Sequence, residues 1–309
     1  MNIVIFGASL LFGFVLLIKG SEFFVDGAAG IAVRFGIPQM VIGLTIVAMG
    51  TSAPEAAVSI TAAIGGNADI TVGNIVGSNI LNVLLILGIA SVIVSIAVEK
   101  ASIRNDIPYM IFCSVLLLFQ GYDGKIGIVD GVVLWIAFLV YLFYLFMQAR
   151  KRRDAEETIP CESIWKLILF CVGGIVAILL GSRLAVYGAT EMARLYGISE
   201  RVIGLTIVAL GTSLPELFTS VTAARKGNAE IAIGNIVGSN IFNILFIIGT
   251  TAFIRVVPYE RRFLFDTIVM IATGIILLLC VLKKHKLTRA GGMLMLFCYS
   301  LYLGYLFME

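Results

Sequence analysis

The chain has 309 residues, of which 60% are hydrophobic and only 13% are charged, and its formal net charge is +3. A mean hydropathy of +1.05 excludes a water-soluble globular domain of this length and predicts a polytopic membrane protein that is embedded in a lipid bilayer. The basic residues lie mainly in short segments between apolar runs, so they indicate membrane topology and exclude nucleic acid as a partner.

About ten apolar stretches could each cross a membrane as a helix, because about 20 residues span the hydrocarbon core. The first covers 2–19 and continues as an amphipathic segment to about residue 33. It lacks a basic leader and a cleavage site, so we expect a retained helix and not a signal peptide. The remaining spans are predicted over 39–64, 69–97, 105–121, 127–148, 164–190, 201–224, 230–254, 263–282 and 290–307.

A polar stretch over 149–163 separates these spans into two groups of five. The predicted fold is therefore an all-α membrane protein, with a first five-helix half over 1–148 and a second over 164–309. Basic residues concentrate in cytoplasmic loops, and the linker begins with four of them, Arg150–Arg153. This places the linker in the cytoplasm and, after five crossings in each direction, both termini outside the cell membrane.

The two halves contain a duplicated segment. Val41–Gly88 aligns without a gap with Val202–Gly249, and about 33 of these 48 pairs are identical. The alpha repeats built on these segments cover about 39–97 and about 201–254. Because each half has an odd number of helices, the copies should have opposite orientations in the membrane. Inverted repeats of this kind are common in secondary transporters, which bind their substrate between the repeats near the midplane.

Each repeat has one carboxylate deep in its apolar run, at Glu55 and at Glu216. An ionisable residue inside a membrane span is costly, so a functional role is the first interpretation. A single glutamate near a helix end is often only a capping or snorkelling residue. Duplication of this glutamate, each time after a proline and two hydroxyl residues, favours the functional interpretation.

The helix that leads to each glutamate cannot stay regular. Pro54 and Pro215 each remove a backbone donor and clash with the preceding turn, so a break is predicted close to the glycine four residues earlier. We expect this break to free backbone carbonyl oxygens around Ala48 and Ala209. In a membrane such groups are tolerated only when they are buried in protein or line a cavity.

A second duplicated motif reads GNIVGSNILN over 73–82 and GNIVGSNIFN over 234–243. Residues four apart share a helix face, which gives a small polar face in each copy. With the glutamates and hydroxyls, these faces offer the all-oxygen ligands that Ca²⁺ takes, and they lack the His or Cys typical of zinc sites. Such faces are also often simple packing surfaces. The faces comprise Asn74, Ser78 and Asn82 in the first half and Asn235, Ser239 and Asn243 in the second; Asn79 and Asn240 point away from them, and we predict packing or backbone bonding for these two.

These motifs resemble the two alpha repeats of the calcium/cation antiporter superfamily, and specifically its prokaryotic sodium/calcium exchanger branch. GTSAPE with GSNILN and GTSLPE with GSNIFN carry the resemblance, which covers essentially the whole chain. It implies a secondary antiporter, not an enzyme, that exchanges Na⁺ for Ca²⁺ by alternating access without a cofactor. It implies cation ligands at Thr51, Ser52, Glu55, Ser78, Asn82, Thr212, Ser213, Glu216, Ser239 and Asn243, and at the backbone oxygens of Ala48 and Ala209.

One position distinguishes branches of that family. Potassium-dependent members have aspartate where this chain has Asn243, so the resemblance implies exchange that is independent of K⁺. Exchange of three Na⁺ for one Ca²⁺, as in the family, would move one net charge per cycle and would be electrogenic. We also expect the protein to function as a monomer.

Two other functions remain open at this point. Exchange of H⁺ for Ca²⁺ is the nearer alternative, because a glutamate in a dry site can also bind a proton. A passive cation channel is the more remote one, since it needs a continuous pore and usually a symmetric oligomer. An intramembrane hydrolase is disfavoured because the sequence shows no protease motif.

Overall fold

The computed structural model describes residues 2–153, 162–197 and 209–308, which are almost entirely helical. The helices are α1 (Asn2–Phe35), α2 (Gln39–Thr51), α3 (Ala53–Ile64), α4 (Ile70–Ile93), α5 (Ser102–Asp123), α6 (Ile128–Arg153), α7 (Ile164–Leu195), α8 (Ala209–Thr212), α9 (Leu214–Arg225), α10 (Ala229–Ile254), α11 (Arg261–Leu282) and α12 (Arg289–Met308). Four short strands are β1 (Ile96–Ala97), β2 (Lys125–Ile126), β3 (Val257–Pro258) and β4 (Lys286–Leu287).

Seven helices among the described residues are long and apolar enough to cross a membrane, and the bent pair α2 and α3 forms an eighth candidate span. The predicted all-α membrane fold is thus confirmed at this level. The amphipathic continuation of the first span is confirmed too, since α1 runs without a break to Phe35. The predicted seventh span, 201–224, lies partly in 198–208, outside the described residues.

The predicted end of the third span at residue 97 is wrong. Helix α4 ends at Ile93, and Val94 takes extended backbone angles. Ile96 and Ala97 then form β1, which pairs antiparallel with β4. The β-branched residues Val92, Ile93 and Val94 explain this end, because such residues tolerate extended backbone better than helix.

The short strands show how the two halves are related. Ile96 pairs with Leu287, and Ile126 pairs with Val257. Ile96 and Val257 occupy equivalent positions in the two halves, as do Ile126 and Leu287. Each half therefore pairs its strand with the non-equivalent strand of the other half. A two-fold axis between the halves produces this exchange of partners.

The strands also mark the two ends of the helix bundle. We call the end with β1, β4 and the helix ends that flank 154–161 the linker side. We call the end with β2, β3, the start of α1 and the end of α12 the terminal side. Contacts tie each end together: Arg34 donates to the Glu162 carbonyl oxygen on the linker side, whereas Arg255 contacts the turn at Gly66 on the terminal side.

Helices α1 and α7 pack against each other along glycines spaced seven residues apart. A Cβ atom on Gly13 would lie 2.6 Å from the Ala185 nitrogen, and one on Gly181 would lie 2.8 Å from the Gly13 carbonyl oxygen. The next turn repeats this pattern, since a Cβ on Gly20 would lie 2.9 Å from the Gly174 carbonyl oxygen. Only glycine allows backbones this close, so the sequence holds α1 and α7 together as one pair.

Helices α4 and α10 form the centre of the molecule. In its most apolar window α10 is 94% buried and α4 is 78% buried, whereas α1 is only 17% buried. The central pair is enclosed by the other helices, and the pair α1–α7 lies at the outside. Polar groups on α4 and α10 are therefore removed from both lipid and water.

Candidate cation site

The chain bends immediately before each buried glutamate. Helices α2 and α3 meet at an angle of 49°, with the non-helical Ser52 between them and Pro54 in the first turn of α3. Ser213 has similar backbone angles between α8 and α9. The predicted break is confirmed, within two residues of its expected place. It puts Glu55 and Glu216 in the first turn of a helix, where backbone N–H groups favour negative charge.

The expected release of the Ala48 carbonyl oxygen is wrong. That oxygen accepts a bond of 3.0 Å from the backbone nitrogen of Ser52, so the last turn of α2 remains closed. The hydroxyls of Thr51 and Ser239 also donate to it, at 3.3 and 3.4 Å. The reason is positional: Pro54 removes the donor for the residue four places earlier, which is Gly50 and not Ala48.

The two glutamates are buried and each is bound by the other half of the chain. Glu55 is 1% exposed and Glu216 is 0% exposed. The hydroxyl of Ser52 donates to Oε1 of Glu216 at 2.9 Å, and that of Ser213 donates to Oε1 of Glu55 at 3.4 Å. The two carboxylates also interact electrostatically with each other. The structure thus brings together both predicted acids and both predicted serines.

The threonine before each serine follows the same crossed arrangement. Thr51 lies close enough to the carboxylate of Glu216 to interact with it electrostatically, and Thr212 is placed in the same way toward Glu55. Thr51 also donates to Oδ1 of Asn235 at 3.0 Å. Each Thr-Ser pair therefore faces the acid of the opposite half, and the site is complete only when both halves are present.

Four buried oxygen atoms in this region accept no hydrogen bond from any described residue. They are Oε2 of Glu55, Oε2 of Glu216, Oδ1 of Asn82 and Oδ1 of Asn243. Buried polar atoms almost always have partners, so four orphaned acceptors need an explanation. Carboxylate and amide oxygens are preferred ligands of hard cations such as Ca²⁺. The donor set therefore fits a cation and requires no nitrogen or sulfur ligand.

Two residues of the predicted polar faces, Asn74 and Asn235, hydrogen-bond to the helices that carry the acids. Asn74 donates to the Ser59 hydroxyl at 3.0 Å and to the Glu55 carbonyl oxygen at 3.4 Å. Asn235 makes the equivalent bonds to Ser220 and to the Glu216 carbonyl oxygen. Their side-chain donors are thereby used to fix the first turn of α3 and of α9, and so the position of each glutamate.

Other members of the faces have different surroundings. Ser239 is fully buried and bonds to the Ala48 carbonyl oxygen, whereas Ser78 is buried at the equivalent place on α4. Asn82 and Asn243 each begin a π-helical turn, a feature often found at functional sites. The turn at Asn82 packs against α9, and the turn at Asn243 packs against α3. Each amide therefore lies beside the helix that carries the opposite half's acid.

The prediction for Asn79 and Asn240 is confirmed. Each donates to the backbone carbonyl oxygen of the other, at 3.1 Å. Sequence analysis missed their second contact: Oδ1 of Asn240 accepts from Asn82, and Oδ1 of Asn79 accepts from Asn243, both at 3.0 Å. The spacing of three residues between the asparagines of each motif was the available signal, but the partner across the axis depends on helix packing.

No basic side chain neutralises the two acids among the described residues. The salt bridges there join partly or fully exposed side chains, such as Lys19 with Glu22 and Lys226 with Asp26. Two buried negative charges without a counter-charge are strongly unfavourable. The two carboxylates therefore need neutralisation, either by a bound cation or by protonation.

Two cavities lie on opposite sides of this site. The terminal-side vestibule has a volume of about 630 Å³ and is lined by α3, α7 and α8, including Ala53, Pro54, Gly211 and Thr212. These residues adjoin the acids and hydroxyls, so the vestibule reaches the site. The linker-side pocket is smaller, about 380 Å³, and lies between α1 and α9. Its lining includes none of the site residues.

Comparison with known proteins gives a family match in both halves. A family model described as sodium/calcium exchanger protein matches residues 5–147 and again residues 166–308. The sodium/calcium exchanger MaX1 of Methanosarcina acetivorans is 34% identical over 345 residues, which cover 96% of this chain and 97% of that protein. The putative antiporter CaxA of Alkalimonas amylolytica is 38% identical over 289 residues, with 91% of each chain covered.

Other similarities concern membrane location and fold. Inner membrane protein YrbG of Escherichia coli is 35% identical over 303 residues, covering 93% of this chain and 92% of that protein. A solved structure of the sodium-calcium exchanger NCX_Mj, soaked with 10 mM Na⁺ and 10 mM Sr²⁺, matches with a TM-score of 0.87 and 32% identity. That match covers 98% of each chain, so the likeness extends over the whole fold.

Proposed function

The chain belongs to the sodium/calcium exchanger family, and we propose that it exchanges Na⁺ for Ca²⁺ across the cell membrane by alternating access. The family is one of cation/Ca²⁺ antiporters that transport Na⁺ and Ca²⁺. The finer proposal concerns this chain's own site: which residues bind the ions, which ion drives transport and how much charge moves.

The observation that carries the proposal is the buried, unneutralised pair Glu55 and Glu216, with one free oxygen on each carboxylate. Two negative charges match the charge of one Ca²⁺, and Na⁺ would compete with Ca²⁺ for the same oxygens. A site without its ions would leave bare charges in a dry environment, which is costly. The protein should therefore change its accessible side only when the site is loaded, and this condition couples the two fluxes.

We propose as cation ligands the oxygens that the crossed arrangement brings to the centre, together with two backbone carbonyl oxygens. The carboxylates supply charge, the hydroxyls and amides complete the coordination, and Ca²⁺ takes six to eight oxygens in all. The proposed set is Glu55, Glu216, Thr51, Ser52, Thr212, Ser213, Ser78, Ser239, Asn82 and Asn243, with the carbonyl oxygens of Ala48 and Ala209. The Ala48 carbonyl oxygen would keep its bond from the Ser52 nitrogen and bind the ion in place of the Thr51 and Ser239 hydroxyls.

The proposed exchange is independent of K⁺ and electrogenic. Asn243 is a neutral amide, so the two glutamates are the only charges proposed to bind ions. Exchange of three Na⁺ for one Ca²⁺ would move one net positive charge inward when Ca²⁺ leaves. A membrane potential contributes about 2.3 kcal/mol per charge per 100 mV, so a negative interior would assist Ca²⁺ export.

For the membrane topology we propose ten helices in two inverted halves, 1–148 and 164–309, joined by a cytoplasmic linker over 149–163. The exchange of strand partners between the halves supports this arrangement. With the linker in the cytoplasm, the terminal side faces outward. One chain holds the complete site, so a monomer would suffice.

Exchange of H⁺ for Ca²⁺ is the second candidate. A proton can neutralise a buried carboxylate as a cation does, and both glutamates are fully enclosed. The names of the relatives do not separate the two couplings, since MaX1 is a sodium/calcium exchanger and CaxA only a putative antiporter.

Reconstituted vesicles separate the candidates. Purified protein in proteoliposomes loaded with Na⁺ should take up ⁴⁵Ca²⁺ when diluted into Na⁺-free buffer at equal pH. Adding K⁺ to both sides should leave the rate unchanged, and a negative or positive diffusion potential should alter it. Uptake driven only by a pH gradient would establish the proton-coupled alternative, and uptake that needs no counter-ion would indicate a channel.

A further inference from the structure

The amide groups of Asn82 and Asn243 have a defined orientation that the site depends on. Each presents its oxygen without a partner and has its nitrogen bound elsewhere. An amide turned by 180° would present two N–H donors toward a cation, which repels them. Something must therefore hold each group with the oxygen inward.

The backbone fixes these orientations without ambiguity. The Asn79 and Asn240 carbonyl oxygens can only accept, so the groups that approach them at 3.1 Å must be the NH₂ ends of the Asn240 and Asn79 side chains. Each of these side chains then presents its Oδ1 in the other direction. Amide orientation is normally inferred from such networks, and here the network is anchored on main-chain acceptors.

The anchored oxygens in turn face the proposed ligands. Oδ1 of Asn240 lies 3.0 Å from Nδ2 of Asn82, and Oδ1 of Asn79 lies 3.0 Å from Nδ2 of Asn243. An acceptor in this position can be satisfied only by an NH₂ group. Asn82 and Asn243 must therefore direct their Oδ1 atoms away from Asn240 and Asn79. These two Oδ1 atoms are the buried acceptors without a hydrogen-bond partner.

We propose that Asn79 and Asn240 are positioning residues. They hold the Asn82 and Asn243 amides with their oxygens toward the bound cation and their nitrogens away from it. This inference rests on the proposed cation site. Asn79 acts on the ligand of the second half, and Asn240 acts on that of the first. All four side chains are at most 2% exposed, so water cannot replace a lost contact at low cost.

The test is a double-mutant cycle read out as the equilibrium Kd for ⁴⁵Ca²⁺ in detergent-purified protein. Asn79→Leu keeps the side-chain size but loses the donor and the acceptor, so Asn243 is free to turn. Loss of groups that orient metal ligands typically costs about 10–100-fold in affinity, and we expect a Kd increase in that range. In the Asn243→Ala background the same change should raise the Kd less than about twofold, because no amide is left to orient.

Two further variants separate positioning from folding. Asn79→Asp, in its neutral form, has one donor and one acceptor in the same places and should restore a Kd close to that of the unmodified protein. Asn79→Ser is too short to reach Asn243 but small enough to be accommodated, and it should raise the Kd as Asn79→Leu does. Ser114→Ala removes a buried hydroxyl that bonds to the Met110 carbonyl oxygen in α5, and it should leave the Kd unchanged.

The possible failures are distinguishable. The positioning role would be overturned if Asn79→Leu raised the Kd equally in the unmodified and the Asn243→Ala backgrounds. It would also be overturned if neither Asn79→Leu nor Asn79→Ser raised the Kd. Both results would leave the cation site in place. Absence of ⁴⁵Ca²⁺ binding by the unmodified protein would overturn both the positioning role and the cation site. Normal Ca²⁺ binding without Na⁺-driven uptake would overturn only the proposed coupling.

Discussion

The two ends of the proposed ion path are built from equivalent positions but differ in the contacts that close them. On the linker side, the hydroxyls of Ser21 on α1 and Thr222 on α9 hydrogen-bond at 2.8 Å. Lys226 adds an ion pair of 2.6 Å with Asp26 and a bond of 3.1 Å to the Glu22 carbonyl oxygen. These contacts join α1 to the end of α9 and close the linker side.

On the terminal side, the described residues do not form the equivalent contacts. Ser182, the equivalent of Ser21, donates to the Gly211 carbonyl oxygen at 2.6 Å, and Thr61, the equivalent of Thr222, is exposed. The positions equivalent to the ion pair hold Tyr187 and Gly65. Among the described residues, the cavity on the terminal side reaches Thr212, whereas the lining of the linker-side pocket includes none of the site residues.

Aromatic packing adds to the difference. Phe14 and Phe218 lie with ring centroids 6.0 Å apart between α1 and α9. The equivalent positions hold Ile175 and Ala57, and Ala57 lines the terminal-side vestibule. The halves thus agree in the acids and hydroxyls but differ in the residues that close each end. Similar ligands would suit the proposed single ion site, and under the proposed alternating access the different closures would give the two states different stabilities.

The largest effect should come from neutralising either buried glutamate. Because the two halves agree in these acids, we expect the two variants to lose equal amounts of exchange activity. Glu55→Gln and Glu216→Gln each leave one buried charge where Ca²⁺ needs two, and loss of a buried charge partner costs about 3–5 kcal/mol. Each should reduce ⁴⁵Ca²⁺ exchange by at least about 100-fold in protein that elutes normally on size exclusion.

Glu22→Gln is the matched control for these variants. Glu22 is partly exposed and bonds to Lys19, so this change should leave exchange within about twofold of the unmodified rate, as for typical surface substitutions. A large loss in only one of the two buried variants would show that the acids are not equivalent ligands.

Removal of the contact between Phe14 and Phe218 on the linker side should have the next largest effect. Phe218→Ala gives the linker side the residue of the terminal side. Phe218 is half-buried and Phe14 is 38% exposed, so removal of the ring contact should cost about 1–2 kcal/mol, less than for a fully buried Phe. Hydrogen–deuterium exchange in residues 218–226 should rise roughly tenfold, because these amides exchange when that end opens.

The reverse change, Ala57→Phe, is the mirror of that variant. It should fill the terminal-side vestibule and slow hydrogen–deuterium exchange in residues 57–65, without altering residues 218–226. If Phe218→Ala increased exchange equally at both ends, the ring would stabilise the whole fold and not the closure of one side.

The hydroxyl pair should give a smaller and one-sided effect. Thr222→Val removes the hydrogen bond to Ser21, which is worth about 0.5–1.5 kcal/mol. Hydrogen–deuterium exchange in residues 218–226, which measures opening of the linker side, should therefore rise between about twofold and tenfold. Thr61→Val alters the equivalent position, which Ser182 does not contact here, and should leave that opening unchanged. Equal effects of both variants would contradict the difference between the ends.

The ion pair should contribute least, because Lys226 and Asp26 are 31% and 47% exposed. Exposed pairs are worth about 0.2–1 kcal/mol, so Asp26→Asn should increase linker-side opening by no more than about fivefold. The charge-exchanged variant Asp26→Lys with Lys226→Asp should restore protection. The effect should also fade in 1 M salt, since salt screens exposed charges.

The sequence predicted the features that are local or duplicated. Glu55 and Glu216 stand out because a charged residue in an apolar run has few structural explanations, and Pro54 marks the bend because its chemistry acts within one turn. The helix ends were harder to predict: the chain leaves the helix at Val94 and pairs through Ile96 and Ala97 with a strand of the other half, a partner that the β-branched residues at the helix end do not identify.

Contacts across the two-fold axis could not be predicted in the same way. Ser52 binds Glu216 and not its neighbour Glu55, and Asn79 orients Asn243, in both cases from more than 160 residues away. The first pair depends on how the bends α2–α3 and α8–α9 approach each other, and the second on how α4 and α10 cross. The closure of the linker side likewise depends on the position of α1 relative to α9, which is a property of one conformational state.

The most direct test of the central claim is the position of a bound divalent cation. Crystals of the unmodified protein soaked with Sr²⁺ should show one strong anomalous peak between the carboxylates of Glu55 and Glu216, within coordination distance of both. Soaking with excess Na⁺ should remove that peak through competition for the same oxygens. A peak elsewhere, or none between the glutamates at saturating Sr²⁺, would contradict the account.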